Sequence, residues 1–434
     1  MTTFLTPQDS GYAAEVAGFN TAFALTPDVV VPAESESDVV AAVRYAAERG
    51  MPVRAYATGH GTHAPLVGGM LITLSRLDRV TVDAEEQTAT IAGGARWSAV
   101  VPLAAEHGLA PITGSSPAVG VAGFIQGGGL GPLARSHGFS SDWVIEYTVV
   151  TADGTVRTVT ADSDPELFWA MRGGKGGFGV VVETRVRLAE LPSLYGGALV
   201  FDEPHLEQAL RGWAAWTASA DERVTTSVAI INFPPFDEVP EPLRGRRVLM
   251  LRFAFPGDTA TGEALVAPLR ALAPVYLDGV HEMSPADIGL IHNDPTAPGP
   301  SWGLGGGITH LDEVALTALL GIAGPGATAP FIAVEVRHVG AATARDVPGG
   351  SAVGGRDLSY LFHLIGAPDA SLFAAVLPQA GTAFTDALGA SLAATNTANW
   401  SSSETLDQCW PEETRARIAA ARAAVDPTGM FPLA

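Results

Sequence analysis

Thr113-Gly114-Ser115-Ser116-Pro117-Ala118-Val119-Gly120-Val121-Ala122-Gly123-Phe124-Ile125-Gln126-Gly127-Gly128-Gly129-Leu130-Gly131 is the stretch that decides how this chain is read. Nine of its nineteen residues are glycine or alanine, the composition expected where backbone amides approach a bulky ligand with few side chains in the way. A mobile loop would carry the same glycines. Val119, Val121, Phe124 and Ile125, however, interleave apolar anchors among them and argue for a packed binding turn.

Upstream lie strand, helix and strand. Val29 to Val31 is a β-branched run ended by Pro32. Ser35 and Asp38 form a capping-box-like start, Val39, Val40, Val43, Ala46 and Ala47 make an apolar stripe, and Gly50 stands at the C-cap position. A second strand, Val53 to Ala57, runs directly into Thr58-Gly59-His60-Gly61-Thr62-His63, and the carboxyl end of a strand is where α/β units place cofactors. Further strands are expected at Leu71–Leu74, Arg79–Asp83 and Thr88–Gly93, with a helix over Ser98–His107. Downstream, Trp143–Ala152 and Thr155–Thr160 are joined by the hairpin signal Asp153-Gly154; a helix over Pro165–Met171 and a strand over Val180–Leu188 flank Arg172-Gly173-Gly174-Lys175-Gly176-Gly177-Phe178-Gly179. Residues 192–197 have the composition of a boundary. Beyond them the pattern is α+β, with Phe331–His338 and Leu358–Leu364 as strands and Pro234–Pro242, Pro295–Gly307 and Ala341–Gly355 as loops. A last helix lies within Trp410–Phe431.

Composition narrows the function. The chain has 434 residues, 46 acidic and 25 basic, a net charge of −21. It offers no electrostatic footprint for nucleic acid or anionic lipid, and no stretch reaches the ~18 apolar residues of a membrane span. A hydrophobic content of 47% supports a large core, and the length suggests two or three domains. The single cysteine, Cys409, excludes an intramolecular disulfide, and residues 1–20 lack a basic leader, so a cytoplasmic location is expected.

Several motif matches fail on context. Gly174, Gly176 and Gly179 have dinucleotide-fingerprint spacing, but a β-branched run follows them instead of a helix. Gly174-Lys175 lacks the remaining residues of a phosphate loop. His60 and His63 have no third ligand nearby, so no metal is expected, and no Gly-x-Ser-x-Gly elbow supports a hydrolase.

Taken together, Pro52–His60, Ser116–Gly123, Gly127–Gly131 and Arg172–Gly179 resemble the FAD-binding domain of the vanillyl-alcohol oxidase and p-cresol methylhydroxylase superfamily, with berberine-bridge-enzyme-like oxidases as the nearest likeness. The likeness covers about residues 25–190 and resumes in the ending Asp426-Pro427-Thr428-Gly429-Met430-Phe431. It implies an α+β, two-domain FAD-binding fold with an antiparallel-sheet substrate domain over the flavin: residues 1–195 for FAD, 196–395 for substrate, and 396–434 returning to the FAD domain.

The family's first loop reads Arg-Ser-Gly-Gly-His, with the histidine tethered to the flavin 8α-methyl. Tyr56-Ala57-Thr58-Gly59-His60 matches at Gly59 and His60, which implies a tether through His60, with His63 as alternative. Bicovalent members carry Cys-Pro-x-Val-Gly; Ser116-Pro117-Ala118-Val119-Gly120 stands here, so a second tether is not expected. The resemblance assigns Thr58, Gly59, His60, Gly61, Ser116, Val119, Gly120, Gly123, Gly127, Gly128 and Val181 to the cofactor. Glycine backbones can hold the pyrophosphate without lysines, in keeping with the acidic charge. Val119 near the flavin points to an oxidase.

For the catalytic base, His338 and Tyr360 lead a set that includes Glu335, Arg337 and His363, with His292, Asp294 and Trp302 as possible rim residues. Strand alternation puts Glu335 and Arg337 on one face and His338 on the other. The implied activity removes hydride from a C–H bond beside an alcohol, amine or ring heteroatom of a small molecule and reduces O2 to hydrogen peroxide. Use of another acceptor, oxidative cyclisation, or flavin binding without catalysis are the alternatives. Nothing in the sequence indicates an oligomeric state.

Overall fold

The computed structural model describes residues 2–401 and 406–433. The N-terminal unit opens with β1 (Val29–Pro32), α1 (Glu36–Arg49), β2 (Val53–Tyr56) and β3 (Met70–Thr73), and the three strands form a parallel sheet with β3 in the middle. The local signals act as expected. Ser35 Oγ accepts from the Asp38 N–H, Gly50 ends α1 in the left-handed region at φ 60°, and Val39, Ala42, Val43 and Ala46 turn inward.

A second sheet follows, wholly antiparallel, from β4 (Val80–Asp83), β5 (Thr88–Ala92), β6 (Val144–Val150), β7 (Val156–Val159) and β8 (Val180–Arg187) in the order β7-β6-β8-β5-β4. Helices α2 (Trp97–Ala105), α3 (Val121–Gln126) and α4 (Pro165–Met171) share a core with it.

The second unit begins earlier than the sequence boundary suggests, because Leu194 already starts β9 (Leu194–Asp202). With α5 (Leu206–Thr217), β10 (Thr225–Asn232), β11 (Arg247–Phe255), α6 (Thr259–Arg270), β12 (Gly303–Ile308), α7 (Glu313–Ala323), β13 (Phe331–His338), β14 (Tyr360–Gly366) and α8 (Val376–Leu388), it builds a sheet of order β9-β11-β10-β13-β14-β12, with two short strands beyond β9. The helices cover one face, over a core that includes Trp213, Phe253, Phe362 and Phe384. The other face meets the first unit, where Leu130, Ala134 and Phe139 pack with Val339, Leu358 and Leu361.

β12 corrects the reading of residues 295–307 as a loop. Its sequence, Gly-Leu-Gly-Gly-Gly-Ile, has no strand propensity, but a Cβ on Gly305 would lie 2.5 Å from the Trp400 carbonyl oxygen and one on Gly306 would meet the Phe362 ring at the same distance. These glycines answer close tertiary approach and not a turn.

The chain ends by returning to the first unit. Helix α9 (Glu412–Val425) is followed by Asp426, whose carboxylate accepts from the Met430 and Phe431 N–H groups, and the Met430 carbonyl accepts from the Val53 N–H at 2.7 Å. No helix among the described residues is long and apolar enough to cross a membrane.

Candidate active site

The first loop leaves β2 at Tyr56 and is shaped by residues 18–20. The Thr58 carbonyl accepts from the Phe19 N–H at 2.9 Å. Gly59 sits at φ 74°, and a Cβ there would lie 2.9 Å from Gly18 Cα, so no other residue fits. Phe19 stacks on the His60 ring with centroids 3.4 Å apart and planes 14° from parallel, while Thr58 Oγ1 lies 3.0 Å from His60 Nδ1. Burial first, and then Arg96, pushes the His60 pKa down to about 4, so the imidazole is neutral at physiological pH. His63 is exposed, yet desolvation by its surroundings first, then Lys175 and His363, lower its pKa as well, to about 4.

Asn20 straps this loop to the second unit. Its Nδ2 donates to the Thr62 carbonyl at 3.0 Å and the Ser301 carbonyl at 3.1 Å, and its Oδ1 accepts from the Ser301 N–H at 3.0 Å. No local signal in the sequence marks this residue. Replacing Asn20 by alanine leaves the Thr62 and Ser301 carbonyls and the Ala22 and Ser301 N–H groups without this partner and is expected to cost about 1–3 kcal/mol of stability, read as a shift in the denaturation midpoint. An unchanged midpoint would show that solvent replaces the strap.

The second loop packs against the first. A Cβ on Gly120 would lie 2.9 Å from Ala57 Cβ. Ser116 is buried and its Oγ accepts from the Ala118 N–H at 3.4 Å, and Val119 packs against the core of the first unit. Gly61 and Gly123 have no heavy atom within 4 Å of a built Cβ, so their backbones face open space that a ligand can enter.

The remaining glycines of this stretch serve a different purpose. A Cβ on Gly127 would fall 1.9 Å from Asn399 Oδ1, and Gly128, at φ 97°, is closed off by Phe139 and Val353. The Val181 side chain is buried in the core of the first unit, and its carbonyl lies 2.3 Å from where a Gly93 Cβ would stand. Cys409 is buried beside Ser401, Sγ to Oγ 3.0 Å, and burial pushes its thiol up to about 11, so it offers no thiolate.

Behind Gly127 stands Lys175, which the sequence shows only within a failed phosphate-loop match. It holds a left-handed backbone at φ 72°, uncommon for a residue with a side chain. Its Nζ donates to Asn399 Oδ1 at 2.9 Å, and Asn399 Nδ2 donates to the Phe124 carbonyl at 2.7 Å. Burial pushes this ammonium down to about 8. Asn396, by contrast, donates to the Gly305 carbonyl and Ser401 Oγ within the second unit.

Facing these loops is the uncovered side of the large sheet. Glu335 Oε1 lies 2.9 Å from Arg252 Nη1, 3.2 Å from Ser227 Oγ and 3.6 Å from His292 Nε2, and its Oε2 lies 3.1 Å from Arg337 Nη2. Burial alone would raise the Glu335 pKa, but Arg337 and Arg252 hold it at about 2. Burial and the same two guanidinium groups keep His292 neutral. Arg337 also spans the cleft: its guanidinium lies over the Trp400 ring at 4.8 Å and its Nη2 is 3.4 Å from Ser115 Oγ of the glycine-rich stretch. A cavity of about 20 Å³ borders Ser227, Arg252, His292 and Arg337, room for about one water.

His363 pairs with Glu335 across β13 and β14, with its ring 5.1 Å from that of Trp400. A Cβ on Gly303 would come within 2.7 Å of His363 Nε2, so the bare glycine makes room for the ring. Burial and Arg337 outweigh the opposite pull of Glu335 and bring His363 to about 4.

His338 and Tyr360, the two residues put first from the sequence, are neighbours on the opposite side of the strands; Tyr360 lies under the helices, whereas His338, at the end of β13, also borders the small cavity. Their rings stack at 5.3 Å, the Tyr360 hydroxyl pairs with Thr217 Oγ1 of α5 at 2.7 Å, and His338 Nε2 lies 3.0 Å from Arg135 Nη1. The alternation is as expected, but the face turned to the glycine loops carries Glu335, Arg337 and His363. Trp302 is likewise on the helix side, stacked on Phe331, whereas His292 joins Glu335.

Residues 27–160 match a family model described as FAD binding domain. (R)-6-Hydroxynicotine oxidase of Paenarthrobacter nicotinovorans is 34% identical over 218 residues, 50% of this chain and 44% of that protein, so the match spans less than half of the relative's length. Two solved structures superpose over nearly the whole chain. BBE-like 1 of Physcomitrella patens has TM-score 0.83 and 17% identity, covering 100% of this chain and 96% of the other. The glucooligosaccharide oxidase of Acremonium strictum, which carries a 6-S-cysteinyl, 8α-N1-histidyl FAD, has TM-score 0.81 and 21% identity, covering 99% and 95%. The chain thus contains an FAD-binding domain and, over its length, has the fold of the vanillyl-alcohol oxidase and p-cresol methylhydroxylase superfamily. That bears out the resemblance carried by its glycine-rich loops.

Proposed function

We propose that the protein is an FAD-dependent oxidase that takes hydride from a C–H bond next to an alcohol, amine or ring heteroatom of a small molecule and reduces O2 to hydrogen peroxide. The observation that carries this reading is one cleft with a glycine-backed loop pair on one wall and a buried polar sheet face on the other. The residues suit FAD. The backbones of Gly61 and Gly123 are open to it, and the neutral imidazole of His60 sits at the end of the first loop. Ser116, where a thiol would be needed, limits attachment to a single bond through His60.

When bound, FAD supplies the hydride acceptor. His363, neutral and beside Trp400, accepts the proton from the substrate heteroatom. Glu335 fixes Arg252 and Arg337 in place, and Arg337 closes the wall between Trp400 and Ser115. Lys175, held by Asn399, places a cation behind the glycine-rich loop.

Anaerobic mixing with panels of alcohols, sugars, amines and polycyclic compounds tests the reading: one class should bleach the flavin, and admitted O2 should restore colour with one equivalent of peroxide. Bleaching without rapid reoxidation by O2 would make the protein a dehydrogenase. His60→Ala is expected to release all its flavin on acid precipitation, whereas wild type keeps it.

A further inference from the structure

Five residues of Arg172–Gly179 hold left-handed backbones; four are glycine and the fifth is Lys175, at φ 72°. A side chain is less at ease there than a glycine, so an outlier that persists points to a role for the side chain itself. Its surroundings hold it in place. The Lys175 N–H donates to the Gln126 carbonyl at 2.8 Å, and Arg422 of α9 donates to the Gly174 and Gly176 carbonyls on either side. From this backbone the ammonium reaches Asn399 Oδ1 at 2.9 Å.

Asn399 has only one orientation open to it. An ammonium only donates and the Phe124 carbonyl only accepts, so Oδ1 faces Lys175 and Nδ2 faces Phe124. Gly127 lies against the amide, where a Cβ would overlap Oδ1. The next residue is Trp400, whose carbonyl lies against Gly305 and whose ring is 5.1 Å from that of His363 and 4.8 Å from the Arg337 guanidinium.

We propose that Lys175 is a positioning residue: through Asn399 it locks Trp400 over His363 and so keeps water from the imidazole that faces the substrate. Its importance for turnover rests on the reading that His363 accepts the substrate proton. Burial is the largest cause of the low His363 pKa, which makes that group a reporter of the lock. The charged and titratable groups acting on His363 are Glu335 and Arg337 of β13, Asp294 before β12 and, across the cleft, His63. Lys175 acts directly on His63 and Cys409 instead, so a change at His363 reports movement of Trp400 and not the loss of a nearby charge.

The FAD-loaded, full-length protein, labelled with carbon-13 at histidine Cε1, gives the test by NMR, the His363 signal being the one lost in His363→Gln. In wild type that signal is expected to keep its neutral position from about pH 8 down to about 5, since its pKa is about 4. Lys175→Gly, which suits the left-handed backbone, should bring the midpoint above about 5, toward the ordinary imidazole value of about 6.5. Asn399→Leu, which removes no charge, should do the same, and the double variant should go no further than either alone, the mark of residues that act as one unit. The other histidine signals, His63 apart, should stay in place and so report an intact fold. A His363 signal that remains neutral down to about pH 5 in both variants overturns the lock and leaves the assignment of His363 as base untouched. A shift in the Lys175 variant alone overturns the route through Asn399. A shift in both, with flavin reduction no slower in His363→Ala, leaves the lock standing and overturns the base.

Discussion

Replacing His363 by alanine is expected to lower the anaerobic rate of flavin reduction by roughly 10²- to 10⁴-fold, the range for removal of a positioned general base, while FAD stays bound. The expectation rests on placement. His363 stands on the sheet face that meets the glycine-rich loops, against Trp400, with Gly303 giving its Nε2 room. Its pKa of about 4 means that the proton-accepting form prevails at neutral pH. In wild type, reduction should rise with pH through about 4 and then level off toward pH 8, with no inflection near the usual imidazole value of about 6.5. The alanine variant should lose that acid limb together with its rate. Stopped-flow reduction across this pH range decides the matter: a variant as fast as wild type, with the limb unchanged, would remove His363 from the chemistry.

Glu335→Ala is expected to be the most damaging change to stability, costing about 3–5 kcal/mol, because Arg252, Arg337 and His292 all converge on that carboxylate in the buried sheet face. What is lost is the compensation of two guanidinium groups, one of which, Arg252, is itself buried. A double variant with Arg252→Met should recover part of the loss, since it removes one of the uncompensated charges. Denaturant unfolding of the FAD-loaded protein checks both, and a Glu335→Ala midpoint within experimental error of wild type would contradict the cluster's role.

The same groups set the response to acid. His292, His338 and His363 have folded pKa values depressed below the ordinary value of 6.5. Between their folded and unfolded values the unfolded chain binds more protons, so the stability they contribute is fully present above pH 6.5 and is lost as pH falls toward 4. Glu335, depressed from 4.5 to about 2, adds a loss in the same direction below pH 4.5. Thermal midpoints should therefore decline steadily below pH 6.5, and a flat profile down to pH 4 would mean that these histidines are charged in the folded protein.

The N-terminal unit was legible because its signals are local. Ser35 and Gly50 bracket α1, Asp153-Gly154 turns β6 into β7, and Pro165 opens α4. The second unit was legible only where β-branched and aromatic residues alternate, as in β13. β12 was hidden because tertiary crowding by Trp400 and Phe362 demands glycines that read as a loop. The same ambiguity joined Gly127 and Gly128 to the open positions Gly61 and Gly123, since glycine that admits a ligand and glycine that admits Asn399 or Phe139 look alike in sequence. Alternation separated Glu335 and Arg337 from His338 correctly. The choice between faces needed α5, whose Thr217 takes the Tyr360 hydroxyl. Arg252 and Ser227 come to Glu335 from strands about a hundred residues away, with nothing local to mark them.

The Asn20 strap would give the proposed bond through His60 a meaning beyond holding the cofactor. His60 is presented by a loop moulded by Phe19 and Gly18, and that loop is fastened through Asn20 to Ser301 in the other unit. Attachment through His60 would thus require residues separated by almost three hundred positions to have met. The yellow colour that survives denaturation would then be a receipt of assembly: only chains whose two halves had docked during maturation would carry it.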